Sequence, residues 1–267
     1  MRASAALVAV LLLASAGAAG ADAPFAPPAK NTIAPGPLGD AIRVGRQTAE
    51  QTSAAVKANV GAGLSCTSCH LQGARSPDAS PWVGLWGVYP EYDPRSGRVI
   101  TLADRINECF LRSMNGRPLP LDSVAMRGLL SFIWWLSKDV PTGVSVTGRG
   151  LKSIEAPRPA DPLKGGVLYI EKCAACHGAS GQGVTGAGGQ VVFPALWGPR
   201  SFNIGAGMAR LDTAAAFVKA KMPLGGAALT DQEAYDVAAY FTRQPRPDFK
   251  AKKGDWPNGD KPKDARY

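Results

Sequence analysis

Cys66-Thr67-Ser68-Cys69-His70 and Cys173-Ala174-Ala175-Cys176-His177 share the pattern Cys-x-x-Cys-His and contain the only two histidines of the chain. This pattern is typical of c-type haem attachment, in which two thiols form thioethers with the haem vinyl groups and the histidine binds the iron. Zinc knuckles or disulfides are the alternative, but each motif lacks the second ligand pair that a tetrahedral zinc site needs. The sequence therefore predicts two covalent haem c groups, held by Cys66, Cys69, His70, Cys173, Cys176 and His177.

The N-terminal residues 1–21 resemble a cleaved secretory signal peptide. Arg2 precedes an apolar run from Ala5 to Ala14, and small residues follow up to Ala21. The run is too short to span a bilayer and nothing comparable follows it, so we expect a periplasmic protein without stable membrane insertion. An uncleaved anchor is the alternative.

Length and charge limit the classes of function. The chain of 267 residues is long enough for two cores of about 100–150 residues, one for each motif. The formal net charge of +9 loses one unit with Arg2 and up to about four more to the haem propionates. We therefore expect no nucleic-acid partner; the remaining positive charge suits a small anionic substrate or an acidic redox partner, although a solvated basic surface is the commoner explanation.

The two halves of the chain repeat one order of elements. The tripeptide Leu85-Trp86-Gly87 recurs as Leu196-Trp197-Gly198, and each motif lies between a leading helix and a closing helix. We predict an all-α fold of two tandem class I cytochrome c domains, each with one haem c. The expected divisions are an N-terminal domain at 22–140, a linker at 141–162, and a C-terminal domain at 163–267 whose tail from residue 245 is loose or wraps the surface.

Helix bounds follow from periodicity and capping residues. We predict leading helices over 39–60 and 161–172. Asp122 or Ser123 is expected to cap a closing helix through Leu136, and a capping box at Thr230 opens a closing helix through Phe241.

Neither iron can take a second histidine as its sixth ligand, because both histidines are used in the motifs. Met, Cys, Lys or a small molecule must serve instead. In the second half we choose Met222, which precedes Pro223 and can project from a loop. Met208 and Lys221 are the alternatives, and an isolated Met can also be core filler.

The first half holds the fifth cysteine, Cys109, which the motifs leave unpaired. Thr101 and Asp104 form a capping pattern for a helix that is expected to end at Asn115-Gly116. Four of its residues fall on one face at i, i+4, i+7 and i+8: Arg105, Cys109, Arg112 and Ser113.

Two arginines beside a thiol favour the thiolate, the nucleophilic and metal-binding form, and also attract a doubly charged anion. Met114 gives a second interpretation, in which it ligates the iron and Cys109 is a small buried residue. The residues alone leave both open.

Three segments carry a resemblance to a known family. They are INECFLRSMNG at 106–116, FPALWG at 193–198 and KMP at 221–223. With the two motifs, they resemble the dihaem thiosulfate dehydrogenases over nearly all of the mature chain. The resemblance implies that Cys109 is the distal ligand of the first haem, where substrate reacts, and that Met222 or Lys221 ligates the second. Arg105 and Ser113 match the cysteine-bearing helix of the family, whereas Arg95 and Arg112 are placed only by charge and proximity.

The same resemblance implies the reaction. Two thiosulfates would be joined into tetrathionate at the Cys-ligated haem, and the electrons would pass through the second haem to an external acceptor such as a small periplasmic cytochrome or iron-sulfur protein. No motif encodes the direction of the reaction. The alternatives are a dihaem cytochrome subunit of the Sox pathway, which needs a partner, and a plain dihaem electron carrier.

Overall fold

The computed structural model of the chain describes residues 22–187 and 190–267. The predicted signal peptide at 1–21 lies outside the described residues. The α-helices of the described part are α1 (Pro37–Glu50), α2 (Thr52–Ala55), α3 (Leu71–Ala74), α4 (Leu102–Arg112), α5 (Val124–Ser137), α6 (Pro162–Lys172), α7 (Ala174–His177), α8 (Leu211–Lys221) and α9 (Asp231–Arg243). None of these helices in the described part is long and apolar enough to cross a membrane.

The helix ends follow the capping residues that the sequence offers. Ser123 caps α5 by accepting a hydrogen bond from the backbone N–H of Met126. Asp161 caps α6 in the same way, and the capping boxes predicted at Thr101 and Thr230 open α4 and α9. These predictions are confirmed, whereas the helix predicted over 39–60 is broken after Glu50 into α1, α2 and a short 3-10 helix.

Each half is built around a crossing of its leading and closing helices. In the first half α1 packs on α5, whose predicted apolar face is buried at Leu129, Phe132, Ile133 and Leu136. A Cβ atom on Gly45 of α1 would lie 1.9 Å from the carbonyl oxygen of Gly128 on α5. The crossing therefore requires glycine at this point of α1.

The second half repeats this construction with other residues. Here α6 packs on α9, and a Cβ atom on Gly165 would lie 1.9 Å from the carbonyl oxygen of Asp236. Helix α8 packs on the other part of α9. The repeat inferred from the sequence therefore appears as the same glycine-mediated helix crossing.

Short strands and irregular segments complete the fold. Two antiparallel pairs join β1 (Glu91–Asp93) to β2 (Arg98–Ile100) and β3 (Val184–Thr185) to β4 (Val191–Phe193). The sequence did not predict them, because strands of two or three residues are too short to show a period of two. The fold is otherwise helical, as expected.

The repeated tripeptides do not occupy equivalent environments. Trp197 packs between Tyr169 and Tyr240, with ring centroids 5.0 and 5.8 Å away. Trp86, in contrast, is 43% exposed, and the tryptophan next to the first motif is Trp82, 5.2 Å from the His70 ring. The similarity of the two sequences at this point does not extend to packing.

The C-terminal tail folds back onto the first half. A 3-10 helix at Lys250–Gly254 leads to Trp256, whose N–H donates to the carbonyl oxygen of Arg95 at 2.7 Å. Asn258 donates to the Tyr92 hydroxyl at 3.0 Å. Of the two arrangements expected for residues 245–267, the structure has the wrapped one.

Candidate active site

The first motif presents one histidine nitrogen for a metal. Cys66 starts a 3-10 helix, Cys66–Ser68, and His70 follows that turn. Nδ1 of His70 lies 2.6 Å from the carbonyl oxygen of Ser80. Because a carbonyl oxygen only accepts, Nδ1 carries the proton and the lone pair belongs to Nε2. Burial lowers the pKa of His70 to about 4, so the imidazole is neutral and able to bind iron at physiological pH.

An apolar cavity of about 340 Å³ lies beside this motif. Burial raises the pKa of the Cys66 thiol to about 12 and that of Cys69 to about 11, so both are neutral thiols. The cavity walls are mostly aromatic and aliphatic, as a porphyrin requires, and include Trp82, Ile106, Phe110, Leu129, Phe202 and Phe217. The donor set and the walls therefore fit a c-type haem.

Candidate sixth ligands converge on the same cavity. Cys109, Met114 and Met208 all line it, together with His70. Met208, an alternative for the second site, is thus found beside the first motif. Phe202, Met208 and Phe217 come from the second half of the chain, so both halves build the walls of the first cavity.

A second cavity, of about 440 Å³, adjoins the first at the cysteine-bearing helix. Cys109, Arg105 and Ser113 line both cavities, whereas Met114 and Met208 line only the apolar one. The structure brings together the five predicted pocket residues, which all line the second cavity: Arg95, Arg105, Cys109, Arg112 and Ser113. Cys109 thus lies where an apolar cofactor cavity meets a polar pocket.

The polar pocket contains charges of both signs. Arg105 Nη1 lies 3.5 Å from Glu108 Oε2, and the nearby Cys109 and Tyr89 raise the pKa of Arg105. Four acidic side chains, which sequence reasoning missed, also line the pocket: Glu91, Asp93, Glu108 and Asp260. Only Glu108 carried a signal in the sequence, since it neighbours Cys109.

The tail contributes a further wall that the sequence did not indicate. Trp256, Asp260 and Pro262 line the polar pocket. Asp255 accepts hydrogen bonds from Arg112 and Arg95. More than 140 residues separate the tail from these partners, so no local pattern predicts the contact.

The second motif repeats the histidine arrangement of the first. His177 ends α7, and its Nδ1 lies 2.9 Å from the carbonyl oxygen of Pro194, which leaves Nε2 as the metal-binding nitrogen. Burial lowers the pKa of His177 and raises that of Cys173 to about 11, whereas Cys176 is exposed. Lys221 is the last residue of α8, and Met222 follows it, partly buried against the hydrophobic core.

Zinc sites are not supported by the arrangement of donors. Within residues 22–187 and 190–267, no group of three or more His, Cys, Asp or Glu side chains is arranged to hold a metal ion. A c-type haem needs only one such protein ligand beside its two thioethers, so the motifs satisfy it.

Two family models match the chain, one in each half. The model described as "SoxA/TsdA, cytochrome c domain" matches residues 54–142. The model described as "Cytochrome C oxidase, cbb3-type, subunit III" matches residues 160–241. Together they assign a cytochrome c domain to each motif.

Similar proteins extend over most of the chain. A protein named thiosulfate dehydrogenase from Psychrobacter arcticus is 47% identical over 90% of this chain and 73% of its own length. Another with that name, from Allochromatium vinosum, is 46% identical over 85% of this chain and 86% of its own. The solved structure of thiosulfate dehydrogenase (TsdBA) from Marichromatium purpuratum is 43% identical, with a TM-score of 0.81 over 84% of this chain. This chain spans half the length of that solved chain.

Proposed function

The chain belongs to the thiosulfate dehydrogenase family of dihaem c-type cytochromes. We propose that it oxidises thiosulfate to tetrathionate at Cys109, where the apolar cavity meets the polar pocket. The protein is an oxidoreductase with two covalent haem c groups. We assign the catalytic haem to residues 22–140 and the electron-transfer haem to residues 163–267, joined by a linker at 141–162.

The residues of the first cavity would hold the catalytic haem. Cys66 and Cys69 would supply its thioethers, and His70 and Cys109 would be its iron ligands; all four residues line the cavity. Two bound one-electron haems would supply room for the two electrons released when two thiosulfates join. The haem count therefore matches the reaction.

Cys109 is proposed to carry the sulfur adduct. Its thiolate would form a sulfur–sulfur bond with the terminal sulfur of one thiosulfate, giving a Cys–S–S–SO₃⁻ adduct. This oxidation releases two electrons, for which the two bound haems would be the acceptors. A second thiosulfate attacks the adduct at the sulfur attached to Sγ, forms tetrathionate and displaces the Cys109 thiolate. The position of Cys109 supports this assignment, because the residue lines both the cavity that would hold the haem and the pocket that would hold thiosulfate.

Arg105 and Ser113 are proposed to hold the anion. Both line both cavities, as Cys109 does. A guanidinium beside the reacting sulfur offsets the repulsion between two dianions and a thiolate. The acidic groups of the pocket limit this attraction, which helps a doubly charged product to leave.

The second haem is proposed as the electron exit. Cys173, Cys176 and His177 would attach it, and Met222 or Lys221 would supply the sixth ligand. A methionine ligand raises the haem potential relative to a thiolate ligand, so electrons favour the second haem. Cys176 is exposed, which brings this attachment site to the surface where an external acceptor can approach.

We infer that the acceptor is a small periplasmic cytochrome or an iron-sulfur protein. The apolar run at residues 5–14 supports export to the periplasm. The chain alone carries both haem sites and the polar pocket, which favours a self-sufficient enzyme over a Sox-type subunit that needs a partner.

The single observation that carries the proposal is that Cys109 borders both cavities. The test is to mix the purified dihaem protein alone with thiosulfate and an artificial acceptor, and to quantify acceptor reduction and tetrathionate. One tetrathionate for every two electrons is expected. Absence of product from fully haem-loaded protein would contradict the proposal and favour a Sox-type subunit or a plain electron carrier.

A further inference from the structure

One carboxylate of the C-terminal tail binds two arginines of the polar pocket. Nη1 and Nη2 of Arg112 donate to the two oxygens of Asp255 at 2.7 and 2.8 Å. Nε of Arg95 donates to the same carboxylate at 2.8 Å. Asp255 and Arg112 are almost fully enclosed, and the Arg95 side chain is largely buried.

The last residue of the chain completes this network. The Tyr267 hydroxyl donates to Asp255, and it accepts from Nη2 of Arg95 at 2.6 Å. Aromatic rings cover the guanidiniums: Trp256 lies 4.8 Å from Arg95 and Phe249 lies 4.3 Å from Arg112. The tail therefore restrains both arginines by hydrogen bonds and by stacking.

A second ion pair between the tail and a pocket arginine lies nearer the C-terminal end of the tail. Nε of Arg210, which also lines the pocket, donates to Asp264 at 2.8 Å. The tail thus binds pocket arginines at two points, on either side of the lining residues Asp260 and Pro262. It forms a wall of the pocket rather than a separate surface segment.

We propose that residues 255–267 are a functional wall of the substrate pocket and that Asp255 is a positioning residue, which holds Arg95 and Arg112 in the orientation that receives the sulfur anion. This inference rests on the proposed function. An arginine that is not held samples many rotamers, and ordering it on binding weakens affinity. Because Asp255 orders both side chains before the anion binds, binding does not incur this entropic cost.

The loss of a negative charge and the loss of positioning predict opposite effects of Asp255→Asn on thiosulfate affinity. The variant therefore distinguishes the two roles. Removing a negative charge from beside the pocket arginines strengthens their attraction for a dianion. Releasing two arginines weakens binding, by about tenfold for two ordered side chains. If positioning is the main role of Asp255, Asp255→Asn binds thiosulfate more weakly despite the added positive charge.

Two further variants test the positioning role of Asp255 separately from its charge. Tyr267→Phe removes one hydroxyl and no charge, so it tests positioning alone. Asp236→Asn is the matched control: Asp236 is also buried and bound to an arginine, Arg158, at 2.6 Å, but it does not line the pocket. It is expected to lower the melting temperature without changing thiosulfate affinity.

The experiment is calorimetric titration of thiosulfate into the dihaem protein with both haems reduced, followed by steady-state kinetics on the same samples. We expect the dissociation constant to rise about tenfold in Asp255→Asn and about threefold in Tyr267→Phe, with KM rising more than kcat falls. Unchanged or tighter binding in Asp255→Asn, with normal binding in wild type, would overturn the inference alone. Wild-type protein that neither binds nor oxidises thiosulfate would overturn the proposed function and the inference with it.

Discussion

Asp255 and Arg112 form a bidentate ion pair, in which only 5% of the Asp255 side chain and 9% of the Arg112 side chain are exposed. Burial alone would raise the pKa of Asp255, but hydrogen bonds from Arg112, Tyr267 and Arg95 lower it below its usual value. A carboxyl whose pKa is lower in the folded state stabilises the protein above its unfolded pKa. That stability is lost as the pH falls through the folded value.

The first prediction concerns this pH dependence. At pH 7 Asp255→Asn should melt at a lower temperature than wild type, because Arg112 loses its anionic partner. The difference in melting temperature should shrink as the pH falls below about 4, the pKa of an aspartate in the unfolded chain, towards the lower pKa of folded Asp255. Melting curves followed by circular dichroism at pH 7, 5, 4 and 3 check this. The exposed Asp260→Asn is the control, and a gap that stays constant down to pH 3 would argue against the ion pair.

The second prediction concerns the helix crossings. Gly45→Ala should destabilise the protein by about 1–3 kcal/mol or more, because the new methyl group overlaps the Gly128 carbonyl oxygen. Helix propensity alone would favour Ala by about 1 kcal/mol, so the sign of the change shows whether the backbones touch. Denaturant unfolding measures it.

The corresponding change in the second half is Gly165→Ala, which meets the Asp236 carbonyl oxygen and should behave similarly. Gly226→Ala is the control, since a Cβ atom there meets nothing within 4 Å. A stabilising effect at both crossings would contradict the close approach.

The third prediction concerns the second haem. Met222→Gly should lower the reduction potential of one haem and leave the other unchanged, because a thioether ligand raises the potential. Lys221→Ala should leave that potential nearly unchanged if Met222 is the ligand. Spectroscopic redox titration of both variants distinguishes the two residues. If only Lys221→Ala shifts the potential, Lys221 is the ligand.

The fourth prediction concerns haem attachment. Replacing Cys173 and Cys176 with Ala should leave one covalent haem, because neither cysteine lines the cavity of the first motif. Intact-protein mass spectrometry after denaturation counts the haems that stay attached. Two retained haems would show that the second motif is not an attachment site.

Local chemistry made much of the helical framework predictable. Ser123, Thr101 and Thr230 carry capping side chains, and a helix start is decided by a few neighbouring residues. The break after Glu50 was not predicted, because the apolar pattern continues past it while the backbone turns at Gln51. The face shared by Arg105, Cys109, Arg112 and Ser113 follows from helical spacing alone.

The rest of the pocket depends on contacts between distant parts of the chain. Asp255 reaches Arg112 from 143 residues away, and Phe202 and Phe217 enter the first cavity from the second half. Such contacts are set by how the two halves pack, which no local pattern carries. The sequence therefore indicated Cys109, the proposed reacting residue, and its helix, but not the pocket walls around them.

Cys109→Gly tests the central claim most directly. The variant should be purified with both haems attached, and tetrathionate formation from thiosulfate should be measured beside wild type and Met114→Leu. We predict a loss of at least about a hundredfold in Cys109→Gly with an altered spectrum of one haem, and near-normal turnover in Met114→Leu. Turnover within twofold of wild type in fully loaded Cys109→Gly would contradict the account.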